Sequence, residues 1–168
     1  MATITFKGNP VHTLGELPAP GSRLPDFRLT DTDLNDITLN DVKGKKLVLN
    51  IFPSVDTGVC AASVRTFNRA AGNLDNTEVL CISEDLPFAH KRFCGTEGIK
   101  DVKSLSTMKK RDFGKAYNAS MTSGPLEGLL SRAVIVADEN GKVVYAEQVP
   151  EIGQEPDYSA ALEAVKNA

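Results

Sequence analysis

Two largely apolar runs, Leu47-Val-Leu-Asn-Ile-Phe52 and Thr77-Glu-Val-Leu-Cys-Ile-Ser83, set the limits on what this chain can become. Both are short, bounded by turn residues and rich in Val, Ile and Leu. They read as central strands buried on both faces. Between them lies a proline-led polar turn, Pro53 to Thr57, and then a stretch whose apolar residues recur at helical spacing. Cys60, Val64, Phe67 and Ala71 fall on one face of a helix expected over 59–71. Asp56 or Thr57 can cap its start, and Gly72-Asn73 can end it. A cysteine therefore sits at the top of a buried helical face, among backbone N–H groups with no intrahelical acceptor. That position favours the thiolate, the reactive form of the residue.

The remaining pattern completes a fold. Residues 2–13 read as a hairpin turning at Lys7-Gly-Asn-Pro10, residues 15–26 as an extended Pro/Gly-rich connection, and Phe27 to Leu39 as weak edge strands. Asp85-Leu-Pro87 opens a second helix, expected to end near Cys94 because Gly95 follows. A short strand near Val102–Leu105 and a helix near Lys109–Tyr117 come next. Ala133–Ala137 and Val143–Tyr145 form a hairpin about Asp138-Glu-Asn-Gly141, and a helix over 156–168 closes the chain. A mixed sheet with helices on both faces is the expected fold, the α/β thioredoxin-like arrangement with an added N-terminal β-hairpin. With 168 residues and 41% hydrophobic content, one domain spanning 1–168 is expected.

Charge and cysteine usage exclude several classes. A net charge of −3 provides no basic stripe for nucleic acid. Lys109-Lys-Arg111 is a short run on a solvated helix face. No apolar stretch approaches the ~20 residues of a membrane span, and the N-terminus does not read as a secretory signal, so the expected location is the cytoplasm. Three cysteines are too few for a secreted disulfide scaffold. Gly124-Pro-Leu-Glu-Gly128 lacks the ending of a phosphate loop; Met121 and Leu126 beside it serve as an apolar collar, an interface or ordinary packing.

The chemistry concentrates on few residues. Thr57 is placed to direct its hydroxyl at Cys60, and Pro53 to shield the site and fix the turn. The bland alternative for Cys60 is a buried thiol packed as a small hydrophobe. Cys94, at the other end of a helix where the dipole disfavours a thiolate, is the slower partner if it has a role at all. Cys81, between Leu80 and Ile82, reads as a buried and inert thiol. His90 and Cys94, four apart, could join Cys60 in an open zinc site; the plainer expectation is an exposed His90. Arg132 reads either as a surface ion-pair residue or as a group reaching the thiol, with Arg65 a weaker candidate. A thiol–disulfide oxidoreductase is disfavoured because Ser63 stands where a Cys-x-x-Cys motif needs its second cysteine. A non-catalytic binding module on the same fold is the other rival.

Pro53, Thr57 and Cys60 also spell Pro-x-x-x-Thr-x-x-Cys, which resembles the signature of peroxiredoxins. The string Asn50 to Arg65, with Leu80-Cys-Ile-Ser83, Asp85-Leu-Pro-Phe88, Arg92-Phe-Cys-Gly95 and Arg132-Ala-Val, is similar to the bacterial thiol peroxidase subfamily, which is of the atypical two-cysteine kind. The likeness runs over nearly the whole chain. It implies a hydroperoxide-reducing enzyme of antioxidant defence, with Cys60 peroxidatic and Cys94 resolving through a Cys60–Cys94 disulfide. It further implies Thr57 and Arg132 as orienting and activating groups, Pro53 as a cover, thioredoxin as reductant, a homodimer, and no metal or organic cofactor.

Overall fold

In the computed structural model, which describes residues 1–168, the chain opens with a two-stranded antiparallel ribbon, β1 (Ala2–Phe6) and β2 (Asn9–Thr13). Lys7 and Gly8 form its two-residue turn, with φ of 51° and 80°. Turns of this hand match the twist of the flanking strands. The expected four-residue turn is therefore tighter, and Pro10 is a strand residue paired with Thr5. The ribbon is stitched to the far end of the chain: the Thr5 N–H donates to the Pro150 carbonyl at 2.8 Å, and the Ile152 N–H donates to the Thr5 carbonyl at 2.9 Å.

The main sheet has seven strands in the order β4-β3-β7-β6-β5-β8-β9. These are β3 (Arg28–Thr30), β4 (Asp36–Thr38), β5 (Lys46–Ile51), β6 (Thr77–Ser83), β7 (Lys103–Ser106), β8 (Ala133–Ala137) and β9 (Val143–Gln148). Strands β5, β6 and β7 are parallel, while β8 runs against β5 and β9 against β8. The crossovers carry α1 (Gly58–Ala71) and α2 (Pro87–Glu97); α3 (Phe113–Ala116) and α4 (Tyr158–Lys166) follow. Asp157 caps α4, accepting from the Ala160 N–H at 3.0 Å.

The period of two along each strand divides the core. Leu47, Leu49 and Ile51 face one apolar cluster with Leu80, Ile82, Leu105, Phe113 and Tyr117. Val48 and Phe52 face the other, with Val79, Cys81, Cys60, Val64, Phe67 and Phe93 from α1 and α2, and Ala161 and Val165 from α4. The three longer helices thus share a face, and the one-turn α3 lies on the opposite one. That helix was expected over 109–117. It is four residues long, Phe113–Ala116, and Lys109 ahead of it pairs with Asp36 at 2.8 Å.

The second helix overruns its expected end near Cys94. Gly95 is helical, α2 continues to Glu97, and Gly98 at φ +66° ends it. A glycine stops a helix when it adopts the left-handed conformation, and the second glycine is the one that does.

Candidate active site

Strand β5 ends beside two different neighbours, parallel β6 and antiparallel β8. Crevices that bind ligands in open α/β sheets form at such reversals, beyond the carboxyl ends of the strands. Pro53 is buried two residues past the end of β5, and the turn Ser54–Thr57 leads from it into α1. Thr57 is the N-cap residue of α1 at φ −102°, ψ 147°, and the Ala61 N–H is the first to reach back, to the Thr57 carbonyl at 3.0 Å. The amides of Gly58, Val59 and Cys60 stand ahead of the intrahelical ladder, where positive partial charge accumulates. Cys60 is fully buried in this first turn. Its carbonyl accepts from Ser63 Oγ at 2.7 Å, and Ser63 in turn accepts from Asn50 Nδ2 at 3.1 Å, so β5 holds the turn from below.

The Thr57 hydroxyl differs from expectation. It donates to the Ser54 carbonyl at 3.0 Å, not to Cys60. A hydroxyl has one proton, so Thr57 presents lone pairs, ready to accept, to anything that enters beside the thiol.

Arg132 reaches this end of the sheet because β8 is antiparallel to β5. Ala133 pairs with Ile51, which sets Arg132 level with the first residues past β5. Its carbonyl accepts from Val149 N–H at 3.0 Å and from Gln148 Nε2 at 2.9 Å, anchoring the backbone. The side chain is 2% exposed, which removes the surface ion-pair reading. Nε donates to the Ile152 carbonyl at 2.8 Å, whereas Nη1 is buried without a partner. A buried cation with an idle donor is costly, and buried polar groups are satisfied in the great majority of cases. The N-terminal ribbon contributes here, since Thr5 fixes Ile152 from the other side. Met121 and Leu126 pack with Ile4, Val11 and Ile152 beneath that ribbon.

Cys94 is half-buried in the last turn of α2, with Sγ 3.3 Å from Ser104 Oγ of β7. Its carbonyl does not point unpaired into solvent, because the Gly98 and Ile99 N–H groups both end on it. His90, one turn earlier, is fully buried, against expectation. Its Nε2 lies 3.1 Å from Ser83 Oγ. Burial holds this imidazole below its ordinary range, opposed by the carboxylates of Asp85 and Asp56. No group of three His, Cys, Asp or Glu side chains is placed to hold a metal ion. Arg65 is spent on Glu97, clasping α1 to the end of α2. Cys81 is sealed in the sheet, and burial pushes its thiol up to about 12. All three cysteines are free thiols.

The structure gives Asp85 a use beyond the helix start and the family likeness that its sequence carries. Its Oδ1 accepts from Ser54 Oγ at 2.7 Å, and Oδ2 from the Val55 N–H at 2.8 Å and from Ser83 Oγ at 2.5 Å. The Asp-x-Pro spelling carries a helix-start signal that masked this longer-range use.

A family model described as Redoxin matches residues 19–162. The chain belongs to the redoxin family. It is 55% identical over 165 residues to a thiol peroxidase of Corynebacterium glutamicum, covering 98% of this chain and 99% of that one. It is 53% identical, over the same shares, to a thiol peroxidase of Mycobacterium bovis. The crystal structure of a peroxiredoxin-like protein from Aquifex aeolicus superposes with a TM-score of 0.94 at 36% identity, covering 99% of this chain and 97% of that one. These likenesses place the chain among the thiol peroxidases, on the thioredoxin-like fold read from its sequence.

Proposed function

We propose that this redoxin-family enzyme carries out its thiol-dependent peroxidase reaction at Cys60. The Cys60 thiolate attacks one oxygen of a hydroperoxide in line with the O–O bond. Sulfur bonds to that oxygen, the O–O bond breaks, and the leaving alkoxide takes up a proton. The products are an alcohol, or water, and a Cys60 sulfenic acid. Negative charge moves along the S–O–O axis, so donors already fixed along it lower the barrier. The Cys60 N–H and Arg132 Nη1 are such donors, and the Thr57 oxygen accepts from the hydroperoxide O–H. Pro53 keeps water off the thiol. The observation that carries this assignment is the buried guanidinium of Arg132 with Nη1 unpartnered beside the end of β5.

Cys94 acts as the resolving residue. Its thiol condenses with the sulfenic acid, releasing water and forming the Cys60–Cys94 disulfide, which an external dithiol then reduces. Disulfide geometry needs Cα atoms within ~7 Å, and local loosening of the two helix ends is the proposed route by which Cys60 and Cys94 come within that reach. Thioredoxin is the proposed reductant, and alkyl hydroperoxides together with hydrogen peroxide are the proposed substrates in antioxidant defence. Residues 1–168 act as one domain, supported by the stitching of the N-terminal ribbon to residues 150–152. A homodimer is proposed, with exposed Phe88 at the start of α2 as an apolar contact. Three free thiols suit the reducing cytoplasm, and no helix is long and apolar enough to cross a membrane.

Stopped-flow oxidation with cumene hydroperoxide tests the assignment. Cys60→Ser is expected to abolish peroxide consumption, and normal thioredoxin-dependent turnover in that variant would refute it.

A further inference from the structure

A polar chain that the peroxidase chemistry leaves unexplained starts in the turn ahead of Cys60, passes through half-buried Ser54 and Asp85, and ends on buried Ser83 and His90. It runs from the Ser54–Thr57 turn through Asp85 and Ser83 to His90, on the helix of Cys94. Ser54 Oγ spends its proton on Asp85 and accepts from the Asp56 N–H at 3.1 Å, while the Ser54 carbonyl receives both the hydroxyl and the N–H of Thr57. The orientation of Thr57 thus depends on Ser54, and Ser54 depends on Asp85.

Counting protons fixes the other end. Ser83 Oγ has one hydrogen, and at 2.5 Å from a carboxylate oxygen it goes to Asp85. The same oxygen accepts from the Asp85 N–H at 3.1 Å, so toward His90 it can only accept. Facing that acceptor, His90 serves as the donor through Nε2, and its Nδ1 is buried with no hydrogen-bond partner. Asp85 accepts three donors from two segments of chain, and the fully buried Ser83 and His90 extend its reach into α2. Two further clasps join the same parts, Asp56 with Arg92 at 2.5 Å and Arg65 with Glu97. Both are exposed ion pairs, which hold weakly.

The geometry points to Asp85 as a positioning residue for two steps, holding the Ser54–Thr57 turn in register for peroxide attack and, through Ser83 and His90, retaining the Cys94 helix until the disulfide forms. This inference rests on the proposed roles of Cys60 and Cys94. It carries a signature that ordinary structural support lacks: weakening the chain slows the first step and speeds the second. In Asp85→Asn an amide NH2 must face one of the three donors. Peroxide attack is expected to fall about 10- to 100-fold, the scale of one lost hydrogen bond to a charged acceptor. Release of α2 becomes easier, and closure of the disulfide is expected to accelerate about 3- to 10-fold by the same reasoning at a site more remote from the carboxylate.

The histidine end separates a donor role from mere bulk. His90→Gln keeps a neutral N–H toward Ser83 and is expected to stay within about twofold of wild type in both steps. His90→Phe fills the space without the donor and is expected to accelerate disulfide closure, the effect of one lost neutral hydrogen bond being about 2- to 10-fold. Val42→Ala, in the opposite core cluster, controls for general loss of stability.

The experiment is a single-turnover pulse of cumene hydroperoxide on the reduced, full-length enzyme, with acid quench, thiol alkylation and mass analysis of the Cys60–Cys94 bond. Wild type must first show that bond; its absence would overturn both the resolving role of Cys94 and this inference. Given the bond, slower attack with faster closure in Asp85→Asn, rescue by Gln and not by Phe at position 90, and an unchanged closure rate in Val42→Ala support it. Wild-type closure in His90→Phe, or the same acceleration in Val42→Ala, would overturn it and leave the peroxidase assignment intact.

Discussion

Replacing Arg132 by Met separates a side chain kept for chemistry from one kept for the fold. Arg132 is 2% exposed, makes one side-chain hydrogen bond, Nε–H to the Ile152 carbonyl at 2.8 Å, and leaves Nη1 unsatisfied. Removing an unsatisfied buried donor regains about 1–3 kcal/mol, and losing the charge-assisted bond costs about 1.5–3 kcal/mol. Methionine fills similar space flexibly. The two contributions offset each other to within about 2 kcal/mol, so at about 2–4 °C per kcal/mol for a chain of this length the thermal midpoint should move by less than about 8 °C. The rate constant for peroxide attack should nevertheless fall about 100- to 1000-fold, the usual loss when a donor aimed at developing charge is deleted. Thermal melting by circular dichroism and stopped-flow peroxide consumption measure the two quantities. A structural arginine gives the opposite pattern. If the midpoint dropped by the equivalent of about 3–5 kcal/mol while kcat/KM of the folded fraction held, the catalytic reading of Arg132 would be wrong.

Other expectations follow from the same geometry. Cys94→Ser should consume about one equivalent of peroxide and then stall with thioredoxin as reductant; sustained turnover would remove Cys94 from the cycle. Cys81, protonated and sealed in the sheet, should resist alkylation in the native state at pH 8. Its thiol is raised from 9.0 to about 12 by burial, so the unfolded chain ionises first: stability is whole below pH 9.0 and falls as pH rises from 9.0 toward 12, at about 1.4 kcal/mol per unit for this one group. Urea melts of wild type and Cys81→Ala across that range should diverge in that direction. His90 has the reverse sense for acid: its folded value lies below 6.5, so the unfolded chain binds the extra proton first, and stability declines as pH drops below 6.5. His90→Gln should lose less than wild type between pH 7 and pH 5, and parallel losses would show that the imidazole stays unprotonated there or is matched by Asp85 and Asp56.

Much of this molecule could be read from local pattern. The short apolar runs at 47–52 and 77–83 specified strands, and the recurrence of Cys60, Val64 and Phe67 specified the buried face of α1. Such features depend on neighbours two to four residues away, and periodicity records them directly. The helix stop at Gly98 was less legible, because Gly95 offers the same residue type and the left-handed backbone that distinguishes them is a property of the folded chain. The burial of His90 is not legible in the sequence for a related reason. Only the docking of α2 against β6 and β7 brings Ser83 to its ring and buries it.

The sequence by itself determined that a cysteine would stand at a helix start over a buried face, with Thr57 and Pro53 beside it. The tertiary structure decided what that cysteine faces. Antiparallel β8 delivers Arg132 from the far side of the chain, and the N-terminal ribbon fixes its Ile152 partner across nearly the full length of sequence. Asp85 becomes the bond between turn and helix only once β5 and β6 lie side by side. Strand and helix preferences are short-range and survive in composition, whereas the placing of donors and charges about a thiol depends on which strands pair and in which direction.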